Sequence, residues 1–337
     1  SRRFRLEAKR DLLPADLAAR GLTALPRRTR IWIRLPNWLG DVVMVLPLLR
    51  ALRLGRPDAE ITLVARPQFL PLLESFAVAD RLHALPPRGA GYFRHFHRLR
   101  HQHADVWLLF TNSLRGDLEA RLAGCRQRFG IARAGRRRPL LSHAFRPAAD
   151  FDERSHHQFE LWSNFLQHFG LVVPPDRSPL QTARPEPAAG IGLIPGSENS
   201  PEKRWPVEHW RSVITSLPGE RFVVFGTPTD VTIAAAVAAG FAPERVENLA
   251  GKTDLPAFVD RLRRCRLLVT NDTGGMHLAN ALGVPLVALF GPTNPVRTGP
   301  IFAAPFTIVQ PPGSPPTGGR PLAALSPAAV LAAIHAP

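Results

Sequence analysis

Cysteine is almost absent. Two residues in 337, Cys125 and Cys265, support neither a disulfide framework nor a cysteine-rich zinc cluster, which fits a reducing, cytoplasmic setting. Long apolar runs are missing as well, since none approaches the ~18–20 residues that a membrane-spanning helix needs. The first residues lack the basic–apolar–small pattern of a signal peptide. Lysine is scarce: of 43 basic residues only Lys9, Lys203 and Lys252 are lysines. Tyrosine occurs once, so basic and aromatic residues are poorly interleaved. No nucleic-acid-binding motif accompanies them, and nucleic acid is a weak reading of the charge. The chain has no P-loop, no G-x-S-x-G and no H-E-x-x-H, and GIGLIPG (190–196) lacks the strand-to-helix context of a dinucleotide fingerprint. The four histidines of HFHRLRHQH (95–103) match no metal-ligand spacing.

What remains is a chain with 45% apolar and 21% charged residues, long enough for two domains of about 150 residues each. Its net charge of +16 is unevenly placed. Residues 1–30 hold 9 basic and 3 acidic groups, residues 31–150 hold 19 and 9, and residues 151–337 hold 15 of each. All the excess therefore lies in the first half, although abundant Arg, Ala and Pro show that part of it is compositional.

Short apolar runs alternate with helical patterns, which points to parallel α/β layers. Strands are expected over 31–35, 61–65 and 105–110, with helices over 42–54 and near 159–169. The Pro-rich stretch 171–190 reads as a linker. The pattern then restarts with strands over 190–194, 221–225, 267–270 and 285–290. Helices are expected near 208–217, from 231, over 276–282 and over 327–334. The expected domains are a basic extension (1–30), a first α/β domain (31–172), a linker (173–189), a second α/β domain (190–325) and a closing helix (326–337). Two such domains would place a ligand cleft at the carboxyl ends of their strands.

Three segments could carry chemistry. In PNWLGD (36–41) a strand runs into a turn and a helix, and Asp41 is either the helix N-cap or a carboxylate general base. In PGSENSPEKRWP (195–206), Ser197, Lys203 and the N–H groups after Gly196 could face an anion, or the stretch is a solvated loop. A retained lysine in an arginine-rich chain suits a phosphate as a compact point charge. In TNDTGGMHLANALGVPLVALFGPTNP (270–295), Thr273, Gly274 and Gly275 open a helix whose N–H groups and dipole favour a diphosphate. The two glycines would let a ligand approach the backbone. Asp272 could accept from hydroxyls or an amine of the ligand, and His277 either donates to phosphate or is a packed neutral imidazole.

Together with FTNSLRGDLEARLAGCRQRFGIARAGRRRPLL (110–141), these segments resemble glycosyltransferase family 9, the ADP-heptose:lipopolysaccharide heptosyltransferases, on its heptosyltransferase II side. The resemblance spans about residues 31–335. It implies a GT-B fold of two Rossmann-like domains facing each other across a cleft. It also implies an inverting, metal-independent enzyme with no cofactor, using ADP-heptose as donor and an anionic glycolipid of the lipopolysaccharide inner core as acceptor. By motif, Asp41 would be the general base and Lys203 would stabilise the leaving diphosphate. Ser197, Asp272, Thr273, Gly274, Gly275 and His277 would hold the donor. Asn37, Trp38, Arg115 and Arg138 would meet the acceptor, with peripheral attachment to the cytoplasmic face of the inner membrane. The basic extension, Gly116-Asp117 and the Arg320-Pro321 pair depart from the family pattern and bear on the acceptor. The alternative is a member using another nucleotide sugar, a surface glycan or a protein.

Overall fold

Strand β1 (Arg30–Arg34) reads RIWIR and is buried on both faces beyond its first residue, as a central parallel strand must be. It pairs in parallel with β2 (Glu60–Ala65) and with β4 (Val106–Leu109). β3 (Arg81–Ala84) flanks β2, and β5 (Gln127–Ile131) and β6 (His143–Phe145) extend the other side, giving the order β3-β2-β1-β4-β5-β6. A second all-parallel sheet repeats the plan with β7 (Ala189–Ile194), β8 (Phe222–Val224), β9 (Val246–Asn248), β10 (Cys265–Asn271), β11 (Leu286–Leu289) and β12 (Phe306–Val309). Its order is β12-β11-β10-β7-β8-β9. Each sheet is thus wound outward in both directions from its first strand, the Rossmann arrangement, and each has a switch point beside that strand. This computed structural model describes residues 28–180, 189–197 and 200–335. Residues 1–27 of the expected basic extension and residues 181–188 of the expected linker lie outside the described residues.

Contacts divide the chain into two units. Among the described residues, the first takes 28–37, 45–151 and 159–176, and the second takes 38–44, 152–158 and the residues from 177 onward. Two short pieces of the first half therefore belong to the second unit. Segment 152–158 is held there by polar bonds: Arg297 Nη2 donates to Glu153 Oε2 at 2.7 Å, and Asn294 Nδ2 donates to the Arg154 carbonyl at 2.6 Å.

Each sheet buries its own core. In the first, Trp32 and Trp107 stack at 5.2 Å between centroids over Tyr92, Phe96 and Leu99. In the second, Trp205, Trp210, Val213 and Phe222 meet Val330 and Ile334 of the closing helix Pro327–His335. Trp205 Nε1 donates to the Leu325 carbonyl at 2.9 Å, satisfying a buried donor and fixing the chain that enters that helix. Each such aromatic or aliphatic side chain contributes about 1.5–3 kcal/mol on burial.

The strands expected from apolar runs are present. The inner strand β5, QRFGI, is not among the expected strands, and the four edge strands β3, β6, β9 and β12 are not legible from apolar runs either. They read RLHA, HAF, VEN and FTIV, and most of their residues are half-buried or exposed. An edge strand covers less apolar surface, so its sequence carries less of the signal.

Candidate active site

The turns that follow β7 and β10 meet at the second sheet's switch point. Asn271, the last residue of β10, is fully buried and donates through Nδ2 to the Pro195 carbonyl at 2.8 Å and to the Gly196 carbonyl at 3.3 Å. This side chain ties the two turns together, and it was not singled out in the sequence. From here the helix Gly274–Ala281 starts, with Thr273 extended at its N-cap. Ser197 is buried, and its carbonyl accepts from Arg204 Nη2 at 3.1 Å.

Lys203 lies in the short helical turn Pro201–Lys203, and its Nζ donates to Asp272 Oδ2 at 2.9 Å. The lysine side chain is 26% exposed and the carboxylate 8%. Two expected site residues, 69 positions apart, are therefore one ion pair at the head of the Gly274–Ala281 helix. Asp272 was expected to accept from the ligand; the structure gives one of its oxygens to Lys203, which aims the ammonium. Asp230 is a further carboxylate here. It is 4% exposed, and a Cβ at Gly196 or Gly226 would strike it. Its Oδ2 accepts from the Thr227 N–H at 3.0 Å and the Thr227 hydroxyl at 2.7 Å, while Oδ1 is buried with no hydrogen-bond partner. The capping box over Thr227–Asp230 was the sequence signal that could have found it.

The PNWLGD turn packs against the same helix. The helix Leu39–Gly55 has its first hydrogen bond from the Val42 N–H to the Trp38 carbonyl, at 3.0 Å. Asp41 therefore stands within the first turn, not at the N-cap, and one of the two readings of this residue is removed. A Cβ added to Gly40 would lie 2.6 Å from Cδ2 and 3.3 Å from Nε2 of His277. A Cβ added to Gly274 would lie 2.9 Å from the Leu39 Cβ and 3.2 Å from the Gly40 N. At Gly275 the space is filled by Ile194. The absent side chains of the two glycines are thus required by protein packing, a reason for them beside ligand access. His277 is buried, and burial pushes its pKa down to about 4, against the pull of Asp272 and with repulsion from His157 and Lys203. This burial favours the packed neutral imidazole of the two readings offered for it.

In the first unit, Asn37 Oδ1 accepts from Arg34 Nη2 at 2.9 Å. Arg34 is itself buried and paired with the fully buried Glu119 at 2.8 Å, which also accepts from the hydroxyl of Tyr92. This chain of bonds fixes the start of the PNWLGD turn. Arg115 is exposed, and so is Trp38 (48%), the first residue of the piece 38–44 that belongs to the second unit. Arg138 is different. Its side chain is 3% exposed and forms a two-pronged pair with Asp117, which is fully buried. Its Nη1 donates to the Ile131 carbonyl at 2.8 Å. A guanidinium so enclosed is a structural partner of Asp117, which corrects its reading as an acceptor contact and explains the Gly116-Asp117 departure. Arg136 and Arg137 are the exposed cations of that run. Among the described residues no cluster of side chains could hold a metal ion, and no helix is long and apolar enough to cross a membrane.

Two Rossmann-like units, each with a switch point beside its first strand, define an α/β protein of GT-B type. The profile of glycosyltransferase family 9 (heptosyltransferase) matches residues 92–310, and the chain belongs to this family. It is 32% identical over 300 residues to lipooligosaccharide heptosyltransferase 2 of Haemophilus ducreyi, covering 79% of this chain and 84% of that one. It is 30% identical over 305 residues to lipopolysaccharide heptosyltransferase 2 of Escherichia coli, with the same coverage. The structure of the Escherichia coli ADP-heptose lipopolysaccharide heptosyltransferase II superposes with a TM-score of 0.76 at 27% identity, over 91% of this chain and 97% of that one.

Proposed function

We propose that this enzyme transfers a heptose from ADP-heptose to the inner-core oligosaccharide of a lipopolysaccharide precursor. The reading rests on one observation above the others: Lys203, held by Asp272, at the head of the Gly274–Ala281 helix, with the Asp41 turn packed on that helix. The acceptor hydroxyl oxygen attacks the anomeric carbon from the face opposite the diphosphate. The new carbon–oxygen bond forms as the bond to the diphosphate breaks, so the anomeric configuration inverts. Asp41 takes the hydroxyl proton, and ADP departs with the electron pair.

The departing oxyanion is stabilised by the Lys203 ammonium and by the N–H groups and dipole of Thr273–Gly275, which makes a metal unnecessary for this step. Ser197 lies beside the same phosphates. Asp230 supports the turn that carries Gly196, its buried Oδ1 lying 3.9 Å from Arg204 Nη2. The second unit thus handles the donor. In the first, Asn37, Arg115, Arg136 and Arg137 meet the phosphorylated acceptor, and Trp38 lies next to Asn37 in sequence. A cytoplasmic enzyme working on a lipid-linked substrate would sit at the inner face of the membrane.

Asp41→Asn tests the assignment. It should leave ADP binding intact and lower kcat by orders of magnitude. Undiminished turnover would remove Asp41 from the mechanism. A product screen by mass spectrometry with ADP-, GDP- and UDP-sugars distinguishes this donor from a different nucleotide sugar.

A further inference from the structure

A cavity of about 630 Å³ opens in the first unit at the amino-terminal ends of β1, β4 and β5, the end of the sheet away from the PNWLGD turn. Its size falls in the range of small-molecule sites, ~300–1,000 Å³. It is lined by Arg30, Arg100, Arg126 and His103, with Asp105 as the one carboxylate of the lining. That carboxylate already accepts from the Arg30 backbone N–H at 2.8 Å. Neither Arg100 nor Arg126 forms an ion pair among the described residues, unlike the paired Arg34, Arg53, Arg56 and Arg138 of the same unit.

Two of the arginines, Arg100 and Arg30, are also oriented in advance. Arg100 Nε donates to the Leu122 carbonyl at 2.9 Å, which leaves both terminal amino groups of the fork available. Its stem packs against Gly124, where φ is +76° and a Cβ would lie 3.1 Å from the Arg100 Cγ. Arg30 Nη1 is anchored on the Gln102 carbonyl at 2.7 Å. Arg30 also pairs through Nε with Glu60 at 3.9 Å, so the open fork is that of Arg100; a planar guanidinium fixed by one bond suits phosphate oxygens, and fixing it beforehand lowers the entropic cost of binding.

We propose that this cavity is a second anion site, separate from the transfer site, that takes a phosphate-bearing ligand. The phosphate could belong to a soluble metabolite or to a lipid headgroup, and the chemistry of recognition is the same. The proposal does not depend on the transfer reaction.

The test is calorimetric titration of the full chain with inorganic pyrophosphate at low salt. Because pyrophosphate also suits the Lys203 site, titrations are made in the Lys203→Ala chain with and without Arg100→Ser and Arg126→Ser. Cosedimentation with vesicles of phosphatidylglycerol in phosphatidylcholine is run in parallel. The Lys203→Ala chain should keep one site, weakened on the order of a hundredfold by the two serine substitutions, since two charge-assisted contacts are lost. Loss of pyrophosphate binding identifies a soluble ligand, and loss of vesicle binding alone identifies a headgroup. If both probes bind equally well with and without the arginines, or neither binds, the proposal is overturned. Hydrogen exchange on the unsubstituted chain gives a reading free of folding effects: pyrophosphate or the anionic vesicles should slow exchange over 99–105 and 122–127, and rates there unchanged by both probes also overturn it.

Discussion

Gly40→Ala sets two physical expectations against each other. Position 40 is the second residue of a helix, where alanine is favoured over glycine by up to about 1 kcal/mol on propensity alone. Packing gives the opposite sign. The new Cβ would sit 2.6 Å from the His277 ring, against an ordinary carbon–carbon contact of about 3.5–4.0 Å. About 1 Å of displacement must be found. The ring is buried, so the movement falls on the turn that carries Asp41 or on the start of the Gly274–Ala281 helix. Overpacking of this kind costs about 1–3 kcal/mol. In thermal unfolding the variant should lose about 2–4 °C per kcal/mol. With Asp41 in its proposed role as base, a displacement of about 1 Å should lower kcat roughly a hundredfold. The assay pairs thermal unfolding with ADP release from ADP-heptose, and adds a double-mutant cycle with His277→Ala. Removing the ring opens the space, so the second substitution should recover part of the stability lost to the first. A Gly40→Ala enzyme as stable and as active as its parent would refute the claim that His277 positions the Asp41 turn.

Asp272→Asn should free the Lys203 ammonium from its carboxylate partner, raising the donor KM and lowering kcat; unchanged kinetics would show that the pair does not orient the lysine. Asp117→Asn should destabilise the first unit by about 3–5 kcal/mol in denaturant unfolding, because it strips the buried Arg138 of its counter-ion. Arg136→Ser with Arg137→Ser should instead leave stability unchanged and raise the acceptor KM alone. Acid should weaken the fold through His277. Its pKa is about 4 when folded and 6.5 when free, so stability is complete above pH 6.5 and falls by up to about 3 kcal/mol toward pH 4 as the unfolded chain takes up a proton that the folded chain refuses. His83, whose pKa burial also lowers to about 4, adds to the slope, and His277→Gln should flatten it by its own share.

The arginine excess of the first half shows how far a charge count can be read. On sequence alone, the cations of residues 31–150 form one pool facing an anionic partner. The structure sorts them. Arg34, Arg53, Arg56 and Arg138 are bonded to carboxylates of their own unit, and Arg128 donates to the carbonyls of Leu140 and Cys125. Arg115, Arg136 and Arg137 remain at the surface, and Arg100 and Arg126 line a cavity at the other end of the sheet. Net charge is additive along a chain, whereas pairing is a matter of distance in space.

The sequence by itself determined the alternation of buried strands and helices, because central parallel strands must be apolar on both faces. It also singled out three turns as candidates for the chemistry, because helix starts, glycines and a rare lysine are local features. The tertiary structure alone decided that Lys203 and Asp272 form one pair, that Asn271 joins the turns after β7 and β10, and that Gly40 and Gly274 exist to admit His277 and Leu39. It also decided that Arg138 is enclosed. Each of these is a contact between residues far apart in the chain, fixed by strand order and packing, and no single segment carries the information that sets it.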